Sequence, residues 1–254
     1  MAHASENKVT KPTLRNTAKD KGNRIGGFTL IEMAIVLIIL TLVVGGALMP
    51  LGAQIEQRQR AETQKTLDEI KEALIGFALS QGVLPCPSNV TGGIPDGNAN
   101  CTVTTGVATG YIPWVTLGVN NQDAWGNLIR YAVDTQFTTA FKLQTTGSIT
   151  IETHNPDGST PSISSNIPAV VLSLGKNGYG AMSASGVSQF KPAAFSTNDP
   201  DEYQNQTTSS SVFFSHTPAP PGTATTIGGE FDDLVVWISP NILFNRMVAA
   251  GKLP

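Results

Sequence analysis

Charge is scarce in this chain. Asp, Glu, Lys and Arg make up only 14% of its 254 residues, and the net charge is -3. That is little charge for an ordinary cytoplasmic protein. Cysteine is scarcer still: Cys86 and Cys101 are the only two, with no Cys-x-x-Cys and no haem or zinc spacing, which argues against a structural zinc site. Histidine is limited to His3, His154 and His216, and no Gly-x-Ser-x-Gly occurs. A hydrolase would have to be assembled from scattered residues, and His154 and His216 read as exposed loop residues. No catalytic residue is assigned. No charge at all occurs from Met33 to Met49, where Ile, Val and Leu dominate with one Thr and two Gly.

The charges that are present lie unevenly. Residues 1–27 carry Lys8, Lys11, Arg15, Lys19, Lys21 and Arg24 against Glu6 and Asp20, a net of six minus two, or +4, which leaves -7 for the remainder. A basic head directly before an apolar run reads as the cytoplasmic flank of a membrane segment. Residues 1–24 are polar and without periodicity. The uncharged run is at the short end of a membrane span, and Phe28 to Ile31 extend it at the expense of including Glu32. Backbone in lipid is helical or in a closed barrel, so this segment is expected as a helix, membrane-spanning over about 28–52.

The helix is expected to continue past the membrane. Gln54 to Ser80 is rich in Glu, Gln, Arg, Lys, Ala and Leu, all good helix formers. Leu67, Ile70, Leu74 and Phe77, with Ala78 beside them, recur at three and four residues and form one apolar stripe. Gly82 suits the C-cap, and Pro85 and Pro87 forbid continuation, so the helix is set at 28–81. Pro50, among Gly45, Gly46 and Gly52, predicts a kink or a meltable turn. Beyond residue 85, strands are predicted at Asn127 to Val133, Ser148 to Glu152, Ala169 to Leu174, Val212 to Ser215 and Leu234 to Ile238. The stretches His154 to Asn166, Ser196 to Ser211 and His216 to Gly229 read as long polar loops. Ser239-Pro240 before Asn241 to Ala250, with Gly251 after, marks a short closing helix. The fold class is α+β: a long helix packed on an antiparallel sheet domain over 82–254.

The segment Gly27-Phe28-Thr29-Leu30-Ile31-Glu32, with its basic leader and the apolar run after it, resembles the processing site of type IV prepilins and of type II secretion pseudopilins. The resemblance implies a pilin-like fold and a structural, non-enzymatic role. It implies cleavage by a prepilin peptidase between Gly27 and Phe28, removal of residues 1–27, N-methylation of Phe28, and a part for Glu32 in filament assembly. The implied partners are that peptidase, other pilin or pseudopilin subunits, an inner-membrane assembly platform, and the lipid bilayer before assembly. The implied location is the bacterial inner membrane, leader inside and C-terminal domain periplasmic, then an extracytoplasmic filament. Leu84-Pro85-Cys86-Pro87, Ile112-Pro113-Trp114, Asp123-Ala124-Trp125-Gly126-Asn127 and Asp232 to Ile238 look like a subgroup of large pilin-like proteins. The leader is longer than is usual there, Pro50 falls one residue beyond the usual proline, and the processed chain is large for a bulk subunit, which favours a minor one. A type II secretion pseudopilin, or a filament-tip subunit for adhesion or DNA uptake, remains the alternative.

Three further readings stand beside this one. Cys86 and Cys101 both follow the membrane segment, on the side opposite the basic leader, and so are expected to be joined in an oxidising compartment. Cleavage after Ala53 by an ordinary signal peptidase fits poorly, because Leu51 is large for the minus-three position. No cofactor is assigned. Asp96, Asn98 and Asn100 alternate as in a calcium loop, but Cys101 and Val107 stand where that loop needs Gly and Glu, and Asp199, Asp201 and Glu202 follow no template. Calcium is left open without a site.

Overall fold

The computed structural model describes residues 27–88, 90–91, 93–155, 157–208, 210–220 and 228–253, without the side chains of 46–51 and 91. The basic leader over 1–26 therefore lies outside the described residues. The chain divides into two compact units, Met1–Leu51 and Gly52–Pro254, and each is taken by itself.

The first helix, α1, runs Leu30–Gln81 and belongs to both units. Its backbone is helical on both sides of Pro50, where a kink or a meltable turn was expected. A proline removes one donor and crowds one preceding carbonyl, but good helix formers follow it from Gln54 onward. In the first unit, residues 27–45 are all exposed.

In the second unit α1 buries one stripe. Thr63, Leu67, Ile70, Leu74, Ile75 and Ala78 are each 2% exposed or less. The periodicity predicted most of this stripe but placed Phe77 in it. Phe77 is only half-buried, and Ile75 takes the inner position. Gly82, at φ +81°, ends the helix, and its N–H donates to the Ala78 carbonyl oxygen.

The stripe packs on a four-stranded antiparallel sheet. In chain order the strands are β1 (Val90–Thr91), β2 (Ile94–Pro95), β3 (Val107–Tyr111), β4 (Arg130–Asp134), β5 (Ile149–Glu152), β6 (Ser162–Ile167), β7 (Ala169–Ser173), β8 (Val212–Phe214) and β9 (Leu234–Ile238). The large sheet has the order β3-β4-β7-β9, and every neighbouring pair in it is antiparallel. Its strands alternate between two cores. Tyr131, Val133, Ala169, Val171, Val236 and Ile238 face α1, whereas Ala132, Val170 and Leu172 face the other way. That second face meets Ile149, Ile151, Ile167 and Phe213 of a three-stranded sheet, β6-β5-β8. β4 and β7 are thus buried on both sides, which is why β7 reads as an apolar run from Ala169 to Leu172.

The antiparallel expectation holds for the large sheet and fails for the small one, which is mixed. β5 pairs antiparallel with β6 but parallel with β8. The connection from β5 to β8 crosses β6, β7 and two helices, long enough to bring β8 back in the same direction. Two stretches read as loops hold structure. All of β6 but Ile167 lies within 154–166, where its Ser-rich, mostly exposed strand gives no apolar alternation. The stretch 196–211 contains most of α3 (Phe195–Asn198) and all of α4 (Pro200–Gln206). α4 escapes a hydrophobic reading because four of its seven residues, Asp201, Glu202, Asn205 and Gln206, are buried and polar.

Two short helices complete the unit. α2 (Trp114–Leu117) follows β3. The closing helix, α5 (Pro240–Ala249), buries Leu243 and Met247 beside the α1 stripe, and Arg246 forks onto Glu72 of α1. The turn Asp123 to Asn127 also grips α1. Asp123 Oδ1 accepts from the Trp125 and Asn127 backbone N–H groups, its Oδ2 accepts from Ser173 at 2.6 Å, and the Ala124 N–H donates to Thr63 Oγ1. Burial raises the Asp123 carboxyl above its ordinary value despite these donors.

Truncating the centre of the stripe removes the contact on which the helix docks. Leu74→Ala should destabilise the second unit by ~2–5 kcal/mol, and Phe77→Ala by clearly less. Urea denaturation of the two variants side by side checks this order.

Candidate functional site

The N-terminal segment begins with three non-helical residues, Gly27, Phe28 and Thr29. Among the described residues, a Cβ added to Gly27 would meet nothing within 4 Å, and Phe28 is 79% exposed. Thr29 occupies the N-cap of α1, and Glu32 is the third helical residue. The Thr29 backbone N–H and Oγ1 both donate to Glu32 Oε2, at 2.8 and 2.9 Å, and the Glu32 N–H donates back to Thr29 Oγ1 at 3.3 Å. This is a capping box, which satisfies helix-end donors reciprocally. The first helical bond follows, from the Met33 N–H to the Thr29 carbonyl oxygen.

The sequence reading singled out Glu32 for its charge and did not single out Thr29. The Thr-x-x-Glu spacing before an apolar run was the available signal. The geometry gives Glu32 a local role. Its carboxylate is held at the start of the helix, one residue from Phe28, where a new terminal amine would arise on cleavage.

Beyond Glu32 the helix is apolar on all sides. Met33, Ile35 to Leu40 and Leu42 to Val44 are each between 43% and 72% exposed. A helix of this kind requires apolar surroundings, from lipid or from other protein. Among the described residues no helix is long and apolar enough to cross a membrane. The side chains of 46–51, inside the span expected over 28–52, lie outside the described residues.

The two cysteines meet where the chain leaves α1. Cys86 and Cys101 form a disulfide across a Cα–Cα distance of 5.1 Å, closing a sequence separation of 15. Cys86 is buried and Cys101 exposed. Ser88, two residues on, exchanges both backbone hydrogen bonds with Tyr111 at the end of β3, and Tyr131 Oη donates to the Pro85 carbonyl oxygen. Inside the loop Gly97 takes φ +77°, and a Cβ there would lie 2.3 Å from the Trp114 ring, so this position requires glycine. Asp96 accepts from the Asn98 N–H and Nδ2, and these bonds hold its carboxyl below the ordinary value. The alternating Asp96, Asn98, Asn100 segment is thus a side-chain-stabilised turn at its first two members.

His154 and His216 are not the exposed loop residues expected. Both Nε2 atoms face one carboxylate, Asp201, at 2.9–3.0 Å, and the two side chains are only 15% and 11% exposed. His154 stacks on Phe214 and His216 on Phe231. Single-residue reasoning missed this because α4, which carries Asp201, was not foreseen. Among the described residues neither ring is hydrogen-bonded to a serine or another nucleophile.

Glu202, the next residue of α4, turns to a different group. With Asp232 and Asp233, just before β9, it forms a set of carboxylates with one oxygen from each within 4.8 Å of the others. Glu202 and Asp233 are 1% and 5% exposed. Glu202 accepts from Asn177 Nδ2 through both oxygens and from the Asp232 N–H, and Asp233 Oδ2 accepts from Asn205 Nδ2. Burial, with repulsion from Asp233 and Asp232, pushes Glu202 up to about 10; burial, with repulsion from Glu230, pushes Asp232 up to about 6; and burial, with repulsion from Asp232, raises Asp233 well above the carboxylate range. These are the described residues with the chemistry to hold a metal ion; Asp199 and Asp201, grouped with Glu202 on sequence alone, are not among them.

Residues 22–48 match the family described as the prokaryotic N-terminal methylation motif. The chain therefore carries an N-terminal prepilin-type methylation motif, the mark of type IV pilin and pseudopilin proteins. The motif implies processing by a prepilin peptidase, a membrane-associated precursor, and assembly with other pilin-like subunits. No curated protein and no solved structure matches the chain.

Reducing the Cys86–Cys101 bond should lower the stability of the second unit by ~3 kcal/mol on the chain-entropy account. Thermal denaturation with and without reductant, set against Cys86→Ser, measures it. Cleavage at Gly27 should be unchanged in that variant.

Proposed function

We propose that this chain is a structural subunit, a minor pilin, of a type IV pilus-like filament. A prepilin peptidase removes residues 1–27, Phe28 becomes the N-methylated first residue, and the apolar half of α1 spans the inner membrane over about 28–52. The second unit is then periplasmic before assembly and outside the cell after it. What carries this reading is the coincidence of the methylation motif with a helix whose first 16 residues, 30–45, are exposed and almost wholly apolar. An exposed run of this sort in water would aggregate, whereas lipid first and neighbouring helices later would each cover it. The disulfide supports an oxidising location for the second unit.

Glu32 contributes its charge to assembly. At the start of an apolar helix, a carboxylate is costly without a cation, and the terminal amine of a neighbouring Phe28 supplies one. Its capping of Thr29 is the competing explanation, and chemistry separates the two. Glu32→Gln retains the acceptor needed for the capping box but loses the charge. Glu32→Gln should be cleaved and folded normally, yet its amount in sheared filaments should fall about tenfold, the equivalent of ~1.4 kcal/mol. Quantitative immunoblotting reads this. Normal incorporation of Glu32→Gln together with poor incorporation of Glu32→Ala would assign the residue to capping.

Gly27→Leu should block removal of the leader and leave membrane insertion intact. Intact-mass measurement of membrane-extracted protein distinguishes the two forms. Cleaved Gly27→Leu protein starting at Phe28 would contradict the assignment of the peptidase site.

A further inference from the structure

Asp201, His154 and His216 have no part in the filament reading. We infer that they form a pH-sensitive clasp that fastens α4 to the ends of β5 and β8. The chain path brings them together. β5 and β8 run parallel, with Ile151 beside Phe213 and Glu152 beside Phe214, and the Ser215 N–H donates to the Glu152 carbonyl oxygen. His154 and His216 each follow two residues after that last pair, so the two rings leave neighbouring strands in register. Asp201, in the first turn of α4, meets both. A Cβ at Gly228 would run into Asp201 Oδ2, so glycine there lets the backbone close over the carboxylate.

The hydrogen bonds assign the protons. His154 Nε2 lies 3.0 Å from Asp201 Oδ1 and 2.9 Å from Oδ2, and His216 Nε2 lies 3.0 Å from Oδ2. A carboxylate only accepts, so both Nε2 atoms carry hydrogen. His216 Nδ1 faces a second acceptor, the Thr217 carbonyl oxygen, at 2.9 Å. Only an imidazolium donates from both nitrogens, so His216 is the charged ring of the closed clasp. It stacks on Phe231 with ring centroids 3.8 Å apart, a position that favours a cation. His154 Nδ1 is buried and has no hydrogen-bond partner. A proton there would add a buried charge and an unmatched donor, so His154 is the neutral ring. The closed clasp thus holds one negative and one positive charge.

The other charged or titratable groups around it are Glu152 on β5, Asp199 and Glu202 at the start of α4, Glu230 beyond Gly229, and Arg60 of α1 with Asp233, which line the cleft beside His216. Among the described residues none of these is hydrogen-bonded or ion-paired to either ring. Opening the clasp returns both rings to water, where an imidazole titrates at about 6.5. Above that range the open form gives up the proton that closed His216 keeps, so raising the pH weakens the clasp. Below it the open form binds a proton that closed His154 excludes, so acid weakens the clasp too. The clasp is tightest in the histidine range and loosens on either side.

The test follows the melting of the full chain in detergent from about pH 5 to 9, for wild type, His216→Gln and His154→Gln. Each variant keeps one N–H donor for Asp201 but does not titrate there. Asp232 titrates in the same interval, so the readout is the difference between wild type and variant at each pH. Measured against His216→Gln, the wild type should lose several degrees of melting temperature as the pH rises from about 6 to 8. Measured against His154→Gln, it should lose several degrees as the pH falls from about 6 to 5. Parallel profiles for wild type and His216→Gln would overturn the inference. Nitrogen-15 spectra of the wild-type histidine rings stand even if a variant fails to fold, and they are simple, because the chain has three histidines and His3 lies in the leader. Of the other two, one ring should keep both protons to higher pH, while its neighbour carries hydrogen at Nε2 alone. Two rings that lose a proton together would overturn the inference equally.

Discussion

The second unit depends on the stripe that α1 buries through Leu67, Ile70, Leu74, Ile75 and Ala78. These side chains cover one face of the four-stranded sheet, and without that cover Tyr131, Val133 and Val171 would lose their packing. The other attachments follow from it. α5 closes beside the stripe and pairs Arg246 with Glu72, the Asp123 to Asn127 turn caps Thr63, and the segment after Gln81 is pinned by Tyr131 and the disulfide. Hydrogen bonds of this kind each contribute about 1 kcal/mol net, so they orient the elements, while apolar burial drives the docking.

The same helix works under a different constraint in its first half. There the sequence has no polar face to offer water, and its side chains through Val44 are exposed. One element therefore carries two patterns: amphipathic after residue 52, apolar all round before residue 46. A pilin-like subunit needs this division, because one half must exchange lipid for neighbouring helices while the other holds a fold that does not change. The capping box of Thr29 and Glu32 stands at the helix start, so the carboxylate proposed to offer charge for assembly also caps the helix.

Much of this was legible before the structure. Long-range apolar periodicity gave α1 and most of its stripe, and β-branched runs located β4, β5, β7, β8 and β9 because those strands are largely buried. The motif at Gly27 to Glu32 was read from residue types alone. What escaped was polar. β3 contains Thr and Gly, β6 is an exposed Ser-rich strand, and α4 is held by side-chain hydrogen bonds and not by an apolar face. The parallel pairing of β8 with β5 depends on chain path, which no local pattern encodes. The gathering of His154, His216 and Asp201, and of Glu202 with Asp232 and Asp233, was hidden for the same reason, since each set joins residues tens of positions apart.

The central claim is that the chain leaves the membrane as a processed filament subunit. The most direct measurement is the identity of the first residue of the protein recovered from sheared cell-surface filaments, by N-terminal sequencing with mass detection. The account predicts Phe28, carrying an N-methyl group. Recovery of the chain only outside filaments, or with a mature start at Gln54, would contradict it.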